Sequence, residues 1–327
     1  MTGPATLRVF NALPGSAVAK GLGFAAVLLT LFFAGRALTD GGAGSSAGDL
    51  RLALIHITLT AYSAFAYCYL LNRHRDTYAE LEPVLGQAPW QLLGQDMSGK
   101  HRWGILCSAL VGLVIYLYAT EITTTDSDPW DWSQTNYDSR WMRIIGPLFS
   151  LWLACLMYVM IAESARLSRL SDKISSLDLL ELESYEPLVR LGLTNALLML
   201  GVESIILLFL LEPGFGEFLT GMTILFAIYA WTGLMLPLRG IRRQIRRAKA
   251  MEMNWCREAL QQARANLKNS TGSNISELVA YKELVEGTRN WPFDNPTLIR
   301  FGLYLLIPLA SMFGGAFVER ALELFLF

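Results

Sequence analysis

The hydrophobic positions of this chain fall in long blocks rather than in the short alternations of a soluble fold. Seven blocks approach the ~20 mostly apolar residues that a helix needs to cross a bilayer. They lie at about 18–37, 51–71, 103–121, 144–164, 190–211, 218–238 and 298–325. The pattern predicts an all-α fold: a multi-pass transmembrane helix bundle of about seven spans. The first block is the weakest, with an apolar centre only from Gly21 to Ala34, behind Arg8 and Lys20. It also has the form of a secretory signal with a poor cleavage site. The expectation is an uncleaved span, since the chain is given intact from Met1; either reading puts residues 38–50 outside.

The polar stretches between the blocks give a direction. Short loops rich in Lys and Arg stay on the cytoplasmic side. Arg73, Arg75, Lys100 and Arg102 follow the second block, and Arg166, Arg169 and Lys173 follow the fourth. The segment RGIRRQIRRAK follows the sixth and holds Arg242, Arg243, Arg246 and Arg247. All three loops fall on one side if the N-terminus is cytoplasmic, and the C-terminus is then outside. Loops 38–50, 122–143 and 212–217 become the outer ones, with Arg140 and Arg143 as exceptions beside Trp141. The expected location is a membrane, that of a bacterial inner membrane. Residues 1–238 form the six-span part, 239–295 a cytoplasmic helical hairpin, and 296–327 the last transmembrane helix.

The hairpin rests on helical spacing of Ile241, Ile245, Ala248, Trp255, Ala259 and Ala263. KNSTG marks its turn, and Asn274 with Glu277 has the form of a capping box opening its second helix. Some 50 residues are too few for a separate catalytic domain. The hairpin either packs on the inner ends of the spans or serves as a docking or oligomerisation element. Its arginines set topology and also suit anionic lipid, at about 1 kcal/mol each. Asn269 and Asn274 match the glycosylation pattern but sit on the cytoplasmic side, so both are read as chance matches. Segments 76–97 and 171–186 are read as interfacial, or as packed under the bundle.

Composition agrees with the membrane reading and narrows the chemistry. The chain has 327 residues, is 53% hydrophobic and only 17% charged, against roughly 25% charged in soluble domains. A net charge of −1 gives no basic footprint, so no nucleic-acid partner is expected. Cys68, Cys107, Cys155 and Cys256 show no close spacing and are read as inert thiols rather than a disulfide framework or metal site. The outer stretch TTTDSDPWDWSQTNYDSRWMR gathers Asp126, Asp128 and Asp131. It lacks the glycine of a calcium loop, and its tryptophans read as interface anchors. No metal or cofactor is expected.

Inside the blocks, a few polar residues stand out. Glu203 lies nine residues from Glu212, roughly 13 Å deep. A carboxylate near the bilayer centre costs several kcal/mol unless it faces the bundle or water. Asn195 and Met199 share its helical stripe. In the second block His56, Thr60, Ser63 and Tyr67 occupy i, i+4, i+7 and i+11, one continuous polar face. His56 lies roughly 8 Å in from Arg51, within about one turn of the depth of Glu203. If the second and fifth spans touch, these groups form an ion or proton path. The alternative is hydrogen-bonded glue between helices. His74 and His101 are read as solvated, in basic loops.

The last block opens with Asn295 and Pro296 as a cap and first helical residue. Pro308 is expected to kink it. Ala310, Ser311, Gly314 and Gly315 give small-residue spacings that allow close helix approach. Glu319 and Arg320 follow, then Glu323 and an apolar end. Such a helix lines a pore or forms a subunit contact.

No nucleophile elbow, phosphate loop, zinc motif or framed carboxylate pair is present, so the chain is not read as an enzyme. Two readings remain. One is an oligomeric channel or transporter-like bundle that passes an ion or proton by its intramembrane polar residues. The other is a membrane sensor, receptor or assembly subunit that uses the outer Trp/Asp loop and the inner basic hairpin. Lipid is the expected surrounding in both, with a homo-oligomer or a membrane-complex partner.

Overall fold

The fold was obtained as a computed structural model, which describes residues 15–39, 46–85, 100–123, 136–172, 179, 182–211, 216–266, 275–289, 291, 299 and 302–303. These residues build eight helices: α1 (Ala17–Leu38), α2 (Ala47–Leu85), α3 (Lys100–Thr123), α4 (Tyr137–Ser171), α5 (Glu186–Ile206), α6 (Gly216–Met235), α7 (Arg239–Asn266) and α8 (Ile275–Gly287). Short 3-10 turns precede and follow α5. Among the described residues there is no strand. Four helices are long and apolar enough to cross a membrane: α1, α2 as far as Pro83, α4, and α5 as far as Phe209. A fifth is reached if the bent pair α6–α7 is one span. These helices are compatible with a multi-pass integral membrane protein.

Local sequence explains where the helices start and bend. Ser16 caps α1 by accepting from the Ala19 amide. At the head of α2, Ser46 Oγ accepts from the Asp49 amide while Asp49 Oδ2 accepts from the Ser46 amide, a reciprocal capping box. Asn136 caps α4 through the Ser139 amide. Pro187 sits in the first turn of α5, where its missing N–H leaves nothing unsatisfied. Between α6 and α7 lies Pro237. It cannot donate to the helical ladder, and the two helices meet at 46° there.

The bundle is organised around α2. Apolar side chains of α2, α4, α5 and α6 form the main core, including Leu59, Leu70, Leu156, Met160, Leu191, Met199, Phe226 and Leu234. A smaller cluster joins α1 to α2 and α4 through Leu28, Phe32, Ile57 and Ile145. The opposite faces of α1, α3 and α6 expose large apolar residues such as Leu22, Leu110 and Ile228, each more than half exposed. That inversion suits hydrocarbon as the outer medium.

Several sequence expectations shift. The second span was bounded at residue 71, but α2 runs on to Leu85, so residues 76–85 are helix rather than an interfacial segment. Tyr78 and Leu81 are buried there. Residues 137–143 belong to the first turns of α4 rather than to an outer loop. The third block forms a helix whose apolar part, Trp103–Tyr118, is shorter than a full span. The seventh block and the Asp/Trp-rich stretch 126–132 lie outside the described residues, apart from Ile299, Gly302 and Leu303 in the former.

Candidate functional site

Helix α2 carries the polar stripe, and the structure extends it. Thr60, Ser63 and Tyr67 are buried, and His56 is half-buried. His74 is buried too, at 3% exposure. It lies 18 residues beyond His56, five helical turns or about 27 Å down the same face. The expectation of a solvated loop histidine was wrong: α2 continues past the basic residues, and the helical repeat returns His74 to the core. Thr77 and Tyr78 follow it, also buried.

The second and fifth spans do touch. Tyr62 Oη donates to Leu198 O at 3.2 Å, and the His56 ring meets Phe209 edge-on at 5.3 Å. These contacts make α2 and α5 antiparallel and place Glu203 at roughly the level of Thr60, by the shared rise per residue. Glu203 is 2% exposed, and its Oε1 has no hydrogen-bond partner among the described residues. No hydrogen bond joins it to His56. The His56 Nδ1 instead lies 2.8 Å from Leu52 O. A carbonyl only accepts, so Nδ1 carries the hydrogen and Nε2 is left as an acceptor. Thr60 Oγ1 donates to His56 O, whereas Ser63 Oγ is buried without a partner. Tyr67 stands edge-on to Trp152 of α4 at 5.5 Å, so the lower stripe faces α4.

Asn195 has a different role from Glu203. Its Nδ2 donates to Ser164 Oγ at 2.9 Å and to Gly233 O at 3.2 Å, tying α5 to α4 and α6. Only its Oδ1 is unpartnered. The adjacent Glu163 is 4% exposed and was not singled out in the sequence. It accepts from Tyr78 Oη at 3.1 Å and from Arg166 at 2.9 Å. The available signal was a carboxylate at the end of a span with an arginine three residues on. Its partner Tyr78 is 85 residues away in sequence, beyond the reach of spacing arguments.

The basic segment splits by face. The Arg242 guanidinium lies 3.7 Å over the Trp291 ring, and Arg243 pairs with Asp172 at 3.1 Å. Gln244 also donates to Asp172 O. Arg246 and Arg247 are exposed. Helices α7 and α8 are antiparallel, with Trp255 against Tyr281 and Lys249 donating to the carbonyls of Glu286 and Thr288 at the end of α8. So α7 packs on the end of α4 rather than standing free. Pro308, Ser311, Gly314, Gly315, Glu319 and Arg320 lie outside the described residues. Among the described residues no three His, Cys, Asp or Glu side chains are grouped to hold a metal ion.

No family model matches the chain, and no curated protein and no solved structure matches it either.

Proposed function

We propose that this chain is an integral membrane bundle that passes a proton or small ion along the seam between α2, α4 and α5. The observation that carries the reading is the row of buried polar atoms without protein partners at successive depths. Glu203 Oε1 and Ser63 Oγ lie toward one end, and both His74 ring nitrogens lie toward the other, where Asn195, bonded to Ser164 beside Glu163, leaves its Oδ1 unpartnered. A buried polar atom left unpaired costs about 1–3 kcal/mol. Interhelical glue explains bonded groups, not a series of unbonded ones. Water bridging is the usual answer to such groups where space allows, and a hydrated file of them is a conducting path. Glu203, His56, Thr60, Ser63, Tyr67 and Asn195 are the residues assigned to it. Catalysis forms no part of the reading. The N-terminus is assigned to the cytoplasm, the C-terminus to the outside, and the assembly to a homo-oligomer or membrane complex in which the last span lines the path or the subunit contact.

A second reading has its own support. Asn195, Tyr78 and Glu163 are bonded across helices, and α7 is held to α4 through Asp172. Such links suit a sensor or assembly subunit that transmits a change in the bundle to the α7–α8 hairpin. Proton and ion flux into liposomes containing purified protein separates the two, with wild type beside Glu203→Gln. Flux that disappears in the variant at unchanged thermal stability supports the path. Equal flux in both overturns the role of Glu203. No flux in either, with a lowered melting temperature in the variant, makes Glu203 glue and favours the sensor reading.

A further inference from the structure

The inner end of the seam carries a group that no expectation assigned. His74 projects from α2 into the contact with α4. Thr77 and Tyr78 follow it on α2, and Tyr78, one turn on along the same face, meets Glu163 of α4; all three are buried. Glu163 is bonded to Tyr78 and to Arg166, and the Arg166 side chain is one fifth exposed. The Arg73–Glu80–Arg190 network closes the flank toward α5. So a bonded Tyr78–Glu163–Arg166 cluster lies about one turn beyond a buried imidazole whose two nitrogens both lack a protein partner. A histidine serving only as packing or glue normally fixes one nitrogen by a bond, as His56 does with Leu52 O.

We infer that His74 is the inner proton-transfer group of the path, a shuttle between the Ser63 level and the Glu163–Arg166 pair. The inference rests on the path reading above. The step is balanced within the ring. A proton from the seam bonds to the bare nitrogen, and the hydrogen on the other nitrogen leaves for the Glu163 side. The imidazole ends neutral in its other tautomer, and a return exchange of tautomers resets it. No oxidant or co-reactant is needed. The Glu163 carboxylate is the acceptor on that side, and Arg166, which keeps its own protons, holds it near the partly exposed end of the helix. The exchange carries a proton and nothing larger, because only a proton can enter on one ring nitrogen while another leaves from the second.

The test compares proton flux in proteoliposomes for wild type, Glu203→Gln, His74→Gln and His74→Gly, the last with and without added imidazole, with melting temperatures for each. The expected result is a flux at least tenfold lower in both His74 variants at near-wild-type stability, with imidazole restoring part of it in His74→Gly. Restoration by free imidazole is a signature that a packing role does not produce, and it reads the role even where His74→Gln folds poorly. Wild-type flux in His74→Gln while Glu203→Gln is silent overturns the shuttle and leaves the path standing. Flux lost in His74→Gly and not restored by imidazole also overturns it. A wild-type protein that passes no protons removes both inferences together.

Discussion

At the scale of single residues, the buried polar groups divide into bonded and unbonded ones, and the division makes predictions of opposite kind. Asn195 is bonded to two other helices, so Asn195→Ala is expected to destabilise the bundle by about 1–2 kcal/mol, near the upper range for interhelical bonds in membranes. Its neighbour Thr194 donates only to Arg190 O within its own helix, and Thr194→Ala should cost less than about 0.5 kcal/mol. Unfolding in mixed detergent micelles measures both; equal losses would mean the Asn195 amide is not what joins α4, α5 and α6. Glu203 should behave the other way. Glu203→Gln exchanges a carboxyl oxygen for an amide NH2 where no hydrogen bond is lost, so stability should hold or rise slightly while flux falls. The sequence displayed Glu203, Asn195 and the upper stripe of α2 because a polar residue among leucines stands out by itself. It hid His74, because Arg73, Arg75 and Asp76 surround it and disguise a position that the helical repeat returns to the core. It hid Glu163 because a carboxylate beside an arginine looks like a solvated pair until Tyr78 is seen to close over it.

At the scale of elements, the least expected feature is how α3 attaches. Gly104, Ser108 and Gly112 recur at every fourth position on α3, and Gly146, Ser150 and Ala154 do so on α4. The two rows face each other, with Ser150 Oγ donating to Gly112 O at 2.7 Å and the Tyr116 hydroxyl donating to Met142 O at 3.3 Å. A Cβ added to Gly112 would lie 2.7 Å from both Ala154 Cβ and Ser150 O. Close approach of small residues is what drives helix association where lipid competes for apolar surface. Gly112→Leu should therefore lower stability by about 2 kcal/mol or more through overpacking and lost backbone contact. Gly23→Leu on α1, where a Cβ would meet nothing within 4 Å, should be close to neutral. Thermal unfolding of the pair checks this, and similar melting points would show that α3 is held by something other than the small-residue seam. Spans were legible from apolar length alone, but their ends were not. Helix α2 extends 14 residues past residue 71, since Asn, Arg, Asp and Glu continue a helix once one face has a core to meet. The α3–α4 seam stayed hidden because alanine, glycine and serine within an apolar block read only as apolar filler.

At the scale of the whole molecule, side-chain contacts fix the relative directions of the helices without any use of charge. Asp49 meets Asn136 at one end of α2 and α4, and Tyr78 meets Glu163 at the other, so these two helices run parallel. The chain between them must return the full height, and α3 is the described helix that does so. Its 24 residues span about 36 Å, enough for a hydrocarbon core of about 30 Å even though its apolar part is short. Helix α5 is antiparallel to α2, and α6 to α5, since Gly192 packs on Leu234 O and Asn195 on Gly233 O. If each of these five helices crosses the bilayer, positions 45 and 270 lie on opposite sides. On the orientation proposed above from the arginine-rich loops, position 45 is outside and position 270 inside. Cys68, Cys155 and Cys256 are buried, so Cys107→Ser gives a nearly silent background for Ser45→Cys and Ser270→Cys. A membrane-impermeant maleimide applied to intact cells should label position 45 at once and position 270 only after lysis. Labelling of both from outside would give an even number of crossings and remove α3 or α6 as a span. Exclusive labelling of 270 would invert the bundle, exchanging the outer and inner assignments of Glu203 and His74 while leaving every contact between the helices intact.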